Sequence, residues 1–172
     1  MAGNLELISS QTISTSISSI DFDNVFSAKY DVYKIINSKL STVSAVNGST
    51  DMRLLDSTGT VISASEYDYA QLVLRTDSAF GERKATSATS WSDVFGAEDE
   101  HPESNGTAMY VFNPFDSSSY TFIIHQNAFS VNNVHRGYKG IGMHKSAESC
   151  RGFQVSFQQN VDEGVFSVFG VK

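Results

Sequence analysis

The chain has 172 residues, a formal net charge of −7, 40% apolar residues and 12% aromatic ones, enough large side-chain area for one ordinary domain with a continuous core. That composition excludes a disordered chain, which lacks the aromatic and β-branched content needed to offset chain entropy. Lys29, Lys34, Lys39, Arg53, Arg75 and the Arg83–Lys84 pair are dispersed, so the basic stripe with which a nucleic-acid binder displaces counterions is missing.

Taken in chain order, Leu5–Ile8 and Thr12–Ile17 alternate with the period of a strand, and Ser18–Asn24 reads as a further extended piece. Tyr30–Ile36 follows with Tyr30, Val32 and Lys34 on one face, and Val46-Asn47-Gly48-Ser49 reads as a turn because Asn-Gly tolerates positive φ. Met52–Leu55 and Thr60–Ser63 flank the turn sequence Asp56-Ser57-Thr58-Gly59 as a hairpin, and Ala70–Arg75 alternates again. Thr76 to Pro102 is the least β-like stretch. Within it, Ser90-Trp91-Ser92-Asp93 has a capping-box pattern, with Trp91, Val94 and Phe95 at helical spacing and Gly96 as a stop. The expectation there is one short helix over an edge of the sheets. Later strands are Met109–Phe112, Tyr120–His125, Gly140–His144, Phe153–Phe157 and Val165–Phe169, the last two joined as a hairpin through Val161-Asp162-Glu163-Gly164. A strand every ten residues or so is the rhythm of an all-β, antiparallel β-sandwich. The reading is a single jelly-roll-like domain over 1–172 with one short helix.

Cys150 is the one cysteine, so no intrachain disulfide forms. Met1–Glu6 carries no positive charge and no long apolar run follows it, which predicts neither a signal peptide nor membrane insertion. Folding in a host cytoplasm, with release by lysis, is the matching expectation.

Catalytic signatures are missing. There is no Gly-x-Ser-x-Gly nucleophile elbow and no Gly-x-x-x-x-Gly-Lys-Ser/Thr phosphate loop. Gly137-Tyr138-Lys139-Gly140-Ile141-Gly142 is glycine-dense but reads as a turn entering a strand where backbones approach closely. His101, His125, His135 and His144 lack the spacing that sets two imidazoles on one helix face. On strands, His125 and His144 could meet across a sheet with Cys150 nearby; satisfied histidines are the plainer reading. Glu98, Asp99, Glu100 and Glu103 around His101, and Asp21 and Asp23 around Phe22, raise calcium as a thought, but neither has an Asp-x-Asp-x-Asp-Gly loop, so both read as solvated carboxylates. Tyr67, Tyr69, Tyr110, Tyr120 and Tyr138 could stack on sugars, but core and cross-strand pairing is the usual use of aromatics in a sandwich. Asn47-Gly48-Ser49 and Asn105-Gly106-Thr107 match the glycosylation pattern and are read as turns. No catalytic residue, cofactor or metal is assigned.

The opening Leu5-Glu6-Leu7-Ile8-Ser9-Ser10-Gln11-Thr12-Ile13-Ser14 through Ser18-Ser19-Ile20-Asp21-Phe22, and then Tyr30-Asp31-Val32-Tyr33-Lys34-Ile35, resembles a recurring group of marine and cyanobacterial bacteriophage structural proteins. Met52-Arg53-Leu54-Leu55-Asp56, Ser65–Ala70, Met109–Phe115 and the closing Val168-Phe169-Gly170-Val171-Lys172 carry the same resemblance. It implies a virion component with a sandwich fold, without cofactor or catalytic residue. The expected function is thus a non-enzymatic particle-surface protein, a capsid decoration (cement) protein or a small tail component. Its expected partners are major capsid or tail proteins and further copies of itself in a closed homo-oligomer. The alternative is a tail-fibre module that recognises a host-surface glycan or receptor; a cell-wall or polysaccharide hydrolase comes third. Loops on a rigid sandwich usually carry recognition. The expected contact segments are therefore Thr76–Pro102 and Asn132–Gly137, with Arg83, Lys84, Trp91, Asn132, Asn133, His135 and Arg136 as candidate contact residues.

Overall fold

The computed structural model describes residues 4–43, 50–97, 105–131 and 134–172. Among them the chain runs through eleven strands and no helix: β1 (Leu5–Ile13), β2 (Ile17–Phe22), β3 (Val32–Thr42), β4 (Thr50–Leu55), β5 (Tyr67–Arg75), β6 (Gly81–Ala88), β7 (Trp91–Ser92), β8 (Gly106–Phe112), β9 (Thr121–Val131), β10 (Val134–His144) and β11 (Gly152–Val171). Every pairing between them is antiparallel. The all-β antiparallel architecture is as the sequence predicts; the helix is not.

The organising element is β11, 20 residues long and common to two layers. Its first half pairs with β2 on one side and β4 on the other, and β7 extends that layer beyond β4. Its second half pairs with β1 and β3, and the larger layer continues from β3 through β8, β9, β10 and β5 to β6. The expected hairpin at Val161–Gly164 is therefore a correction. Those residues stay extended, Val161 opposite Thr42 and Glu163 opposite Ser41, with register shifts on either side. Extra residues in one strand of a pair are absorbed as bulges that bend it, and the Asp-Glu-Gly composition that suggests a turn serves that purpose here. The shifts also exchange faces: Phe153, Val155 and Phe157 point inward before them, Phe166 and Val168 after them.

The core closes between the layers. Phe22 on β2 stacks on Phe153 at 4.7 Å and meets Phe166 on the other half of β11 at 5.5 Å. Phe95 stands edge-on to Phe166 at 5.3 Å, and Phe26 meets Tyr33 at 4.7 Å. The buried Tyr33 hydroxyl is satisfied locally: it accepts from Ser27 N and donates to Ser27 O.

Where a helix is expected, Trp91–Ser92 instead joins β4, with Met52 opposite Trp91. Asp93 then takes a left-handed φ of 57°, which ends any right-handed helix at that point. Thr50 Oγ1 donates to Phe95 O at 2.7 Å and accepts from Phe95 N at 3.1 Å, supplying partners that a helical turn would otherwise provide. Trp91, Val94 and Phe95 are all buried. Their spacing reports core membership, and the tertiary partner Thr50 decides the backbone.

The Asp56–Gly59 turn is as expected. Asp56 Oδ1 accepts from Thr58 N at 2.8 Å and Thr60 N at 2.9 Å, and Gly59 takes a φ of 88°. Asp56→Ala removes these acceptors together, and we expect a lower unfolding midpoint, as when a side-chain cap is lost. The midpoint of urea unfolding reads it; an unchanged midpoint would mean the turn is held by its backbone alone.

The glycine-dense segment lies wholly within β10, not in a turn. A Cβ at Gly140 would come within 2.5 Å of His125 Nε2 and 2.7 Å of Gln71 Cγ, and one at Gly142 within 2.7 Å of the Trp91 indole nitrogen. These glycines make room for large side chains of neighbouring elements on the inner face.

Candidate functional site

In a strand successive side chains alternate between faces, so β5, β8, β9 and β10 each send one residue in two to the outside of the larger layer. The register aligns those residues in rows. Ala70 lies opposite Lys84 and Ile141, Ile141 opposite Ile124, Ile124 opposite Tyr110, and Tyr110 opposite Lys34. On one side of that row runs Leu72–Lys139–Gln126–Ala108, and on the other Met143–Phe122–Phe112.

The result is a contiguous apolar face. Ile141 is 62% exposed, Ile124 45%, Leu72 43% and Phe122 41%. Two adjoining depressions on it are floored by Ala70, Ile124 and Ile141. Lys84, Arg83 and Glu82 on β6 and Lys34 on β3 border it, the Lys34 ammonium 5.7 Å from the Tyr110 ring centre, while Lys139 on β10 stands between Leu72 and Gln126 and Asp68 on β5 lines the second depression. Tyr110 and Phe112 run side by side at 6.5 Å on the same face.

Beneath it the interior is polar at one end. Gln71 Nε2 donates to Ser92 O at 2.7 Å and lies 3.4 Å from His125 Nε2; Asn127 Oδ1 accepts from Tyr138 N at 2.7 Å. Nδ1 of the buried His125 has no partner in the protein. Burial pulls its pKa down from 6.5 to about 4. In the unfolded chain the imidazole titrates near 6.5, so protonation favours unfolding. The contribution is complete above that pH and erodes as pH falls toward 4. Across the window, stability should drop by up to about 3 kcal/mol. Urea midpoints at pH 7 and pH 5 will show the drop in the native chain and a smaller one in His125→Gln. Equal drops in both would assign the effect to other groups.

The sequence-derived contact residues scatter. Lys84 is exposed on β6 at the margin of the apolar face, beside Arg83, whose guanidinium lies 5.3 Å from the Tyr138 ring centre and pairs with Asp93. His135 is exposed and Arg136 half-buried on the first residues of β10, away from the depressions. Asn132 and Asn133 lie outside the described residues, as do Val46–Ser49 and the Glu98–Glu103 cluster. Trp91 is corrected: it is completely buried, edge-on to Tyr67 at 5.0 Å, and its Nε1 donates to Asp68 O. Thr76–Pro102 is corrected in part, since β6 occupies its middle as an edge strand. His125 and His144 do not meet, being opposite Gly140 and Thr121 respectively. Asp23 makes a two-pronged ion pair with Arg151, both bonds 2.6 Å, so its carboxylate is occupied. Tyr67 and Tyr138 are buried and Tyr69 packs on the core, in line with the core reading of these aromatics, whereas Tyr110 and Tyr120 are not buried. Asn105 is buried, accepting from Leu40 N through its side chain, so it is a clamp on β3 rather than a glycosylation turn.

The sequence reasoning missed Leu72, Phe122, Ile124 and Ile141. The available signal was apolar residues at both parities, as in Leu72-Val73-Leu74 and Phe122-Ile123-Ile124, which marks a strand covered, or waiting to be covered, on both faces.

No family model matches the sequence, and no curated protein matches it. Among solved structures, the exo-inulinase of Aspergillus awamori aligns over 99% of this chain with a TM-score of 0.48 and 10% identity. This chain spans only 30% of that enzyme's length. A PL-14 alginate lyase from Aplysia kurodai aligns over 90% of this chain and 81% of its own, with a TM-score of 0.37 and 7% identity. Sheep galectin-11, solved with glycerol, aligns over 90% of this chain and 98% of its own, with a TM-score of 0.33 and 10% identity. All three likenesses are weak in sequence and in superposition, and the architecture stands on its own strand ladders.

Proposed function

We propose that this chain is a non-enzymatic docking protein that seats the outer face of its larger layer on an apolar protein surface. On the sequence resemblance we assign it to the accessory proteins of a bacteriophage particle, as a capsid decoration protein or small tail component. The observation that carries the docking reading is the exposed block of Leu72, Phe122, Ile124 and Ile141 on three adjacent strands, with Lys139 beside Leu72 and the charges of β6 along its edge. Contiguous apolar patches on a folded domain mark interaction sites, and a core of aliphatic and aromatic side chains inside a charged rim is the anatomy of a protein interface. Self-association through the same face would give the closed oligomer that a symmetric particle favours.

The test is co-sedimentation of the purified protein with capsids lacking it and, separately, with intact host cells. Saturable binding to capsids alone supports decoration. A second reading, a module for a host-surface glycan, has one observation in its favour: Tyr110 and Phe112 side by side, with Gln126 on the adjacent strand β9 and Lys139 opposite it on β10. Binding to cells alone, abolished by Tyr110→Ala, would favour that reading and overturn the first.

A further inference from the structure

We infer that Glu66, His144 and Glu148 form a binding site for a divalent transition-metal ion of the zinc type, independently of the docking face. One nitrogen of His144 and one oxygen of each glutamate lie within 4.8 Å of one another. His144 Nε2 is 3.3 Å from Glu66 Oε2 and 3.9 Å from Glu148 Oε1. Ligand atoms bound tetrahedrally at zinc-like distances sit roughly 3.3 Å apart, so one pair is already at that separation. The two glutamate side chains are 38% and 32% exposed and free to close the remainder.

The second observation is the imidazole itself. His144 is fully buried, and neither ring nitrogen makes a hydrogen bond. A buried polar group left unpaired is costly; here Nδ1 has no partner at all and two carboxylates converge on Nε2 outside good hydrogen-bond geometry. The neighbouring cation does not resolve the arrangement, because Lys145 Nζ is turned to Asp68 at 2.9 Å and Ser87 at 3.1 Å. An ion between the three groups would satisfy Nε2 and relieve the repulsion between the carboxylates. One imidazole with two carboxylates suits zinc, cobalt or nickel better than calcium or magnesium, which take oxygen ligands.

The site would be structural, with its remaining positions open to solvent. His144 ends β10, Glu66 immediately precedes β5, and Glu148 lies in the connection from β10 to β11. Lys145 N already donates to Glu66 O at 2.8 Å, so the backbone holds two of the three ligands in place before any ion arrives.

The experiment titrates untagged, chelator-treated protein with cobalt(II), followed by its visible absorption, and with zinc(II), followed by calorimetry and by the melting temperature. We expect one equivalent of cobalt bound and displaced by zinc, no competition from magnesium, and a raised melting temperature. Glu66→Gln/Glu148→Gln keeps side-chain shape and should weaken binding at least about tenfold, the loss that even an outer-shell partner commonly carries, and abolish the melting shift. Glu148→Gln alone serves if the double variant unfolds. Native protein that takes up no cobalt, or variants that bind as well as the native chain, would overturn the site, the latter by assigning the ion to other residues.

Discussion

Ile124→Asp/Ile141→Asp is expected to weaken binding to stripped capsids at least about a hundredfold while the domain stays folded. The two side chains sit opposite one another on β9 and β10 at the middle of the apolar face. Half-exposed in the free protein, each would bury enough further area on docking to contribute about 1–2 kcal/mol. The replacement also asks a carboxylate to enter the interface without a partner, which costs more. Together these exceed the roughly 2.7 kcal/mol that corresponds to a hundredfold. Because the positions point away from the core, the urea midpoint should move little, and it separates lost docking from lost folding. Val43→Asp is the control: Val43 is also exposed but follows β3, and its amide donates to Asn160 O. If both variants bind like the native chain, the face is not the docking surface.

Trp91→Ala should cost about 3–5 kcal/mol of stability, the usual range for emptying a large aromatic site in a core. That is a large share of the 5–15 kcal/mol by which domains are normally stable. The indole is enclosed by Tyr67 and by the space that Gly142 leaves, and it donates to Asp68 O, so its loss opens a cavity and orphans a carbonyl. A chemical-denaturation midpoint for the variant decides it. A surface contact residue, as the sequence alone suggests for Trp91, would leave that midpoint nearly unchanged. Trp91→Phe should lose less, since it keeps most of the volume and gives up only the hydrogen bond.

Much of the fold is legible in the sequence because most strands have one apolar face. Phe153–Phe157 alternates cleanly and is part of a strand. β6, Gly81–Ala88, was illegible for the opposite reason. It is an edge strand of Gly-Glu-Arg-Lys-Ala-Thr-Ser-Ala held by its ladder to β5, with no buried face to impose a pattern. Its charges serve a purpose that periodicity does not register, since charged side chains on an edge discourage pairing with another chain. The helix expectation failed because Trp91, Val94 and Phe95 are core residues at helical spacing, while the decisive partner, Thr50, is distant in sequence. The metal ligands were illegible in the same way: Glu66 and His144 come together only through the pairing of β5 with β10. The apolar face was in view all along, in residues read as core because they are apolar.

The shared strand β11 also sets the order of events during synthesis. β1, β2, β3 and β4 all find hydrogen-bonding partners in residues 152–171, a strand made after all of them. Until then β1 and β2 have no strand to pair with, whereas β3 can pair with β8 and β4 with β7, and closing such distant contacts is slow. The β3–β8–β9–β10–β5–β6 part of the larger layer can assemble without β11. The nascent domain therefore passes through a stage with open strand edges, which invite pairing with another chain. It is a fold completed from its C-terminal end, by one strand that closes both layers together.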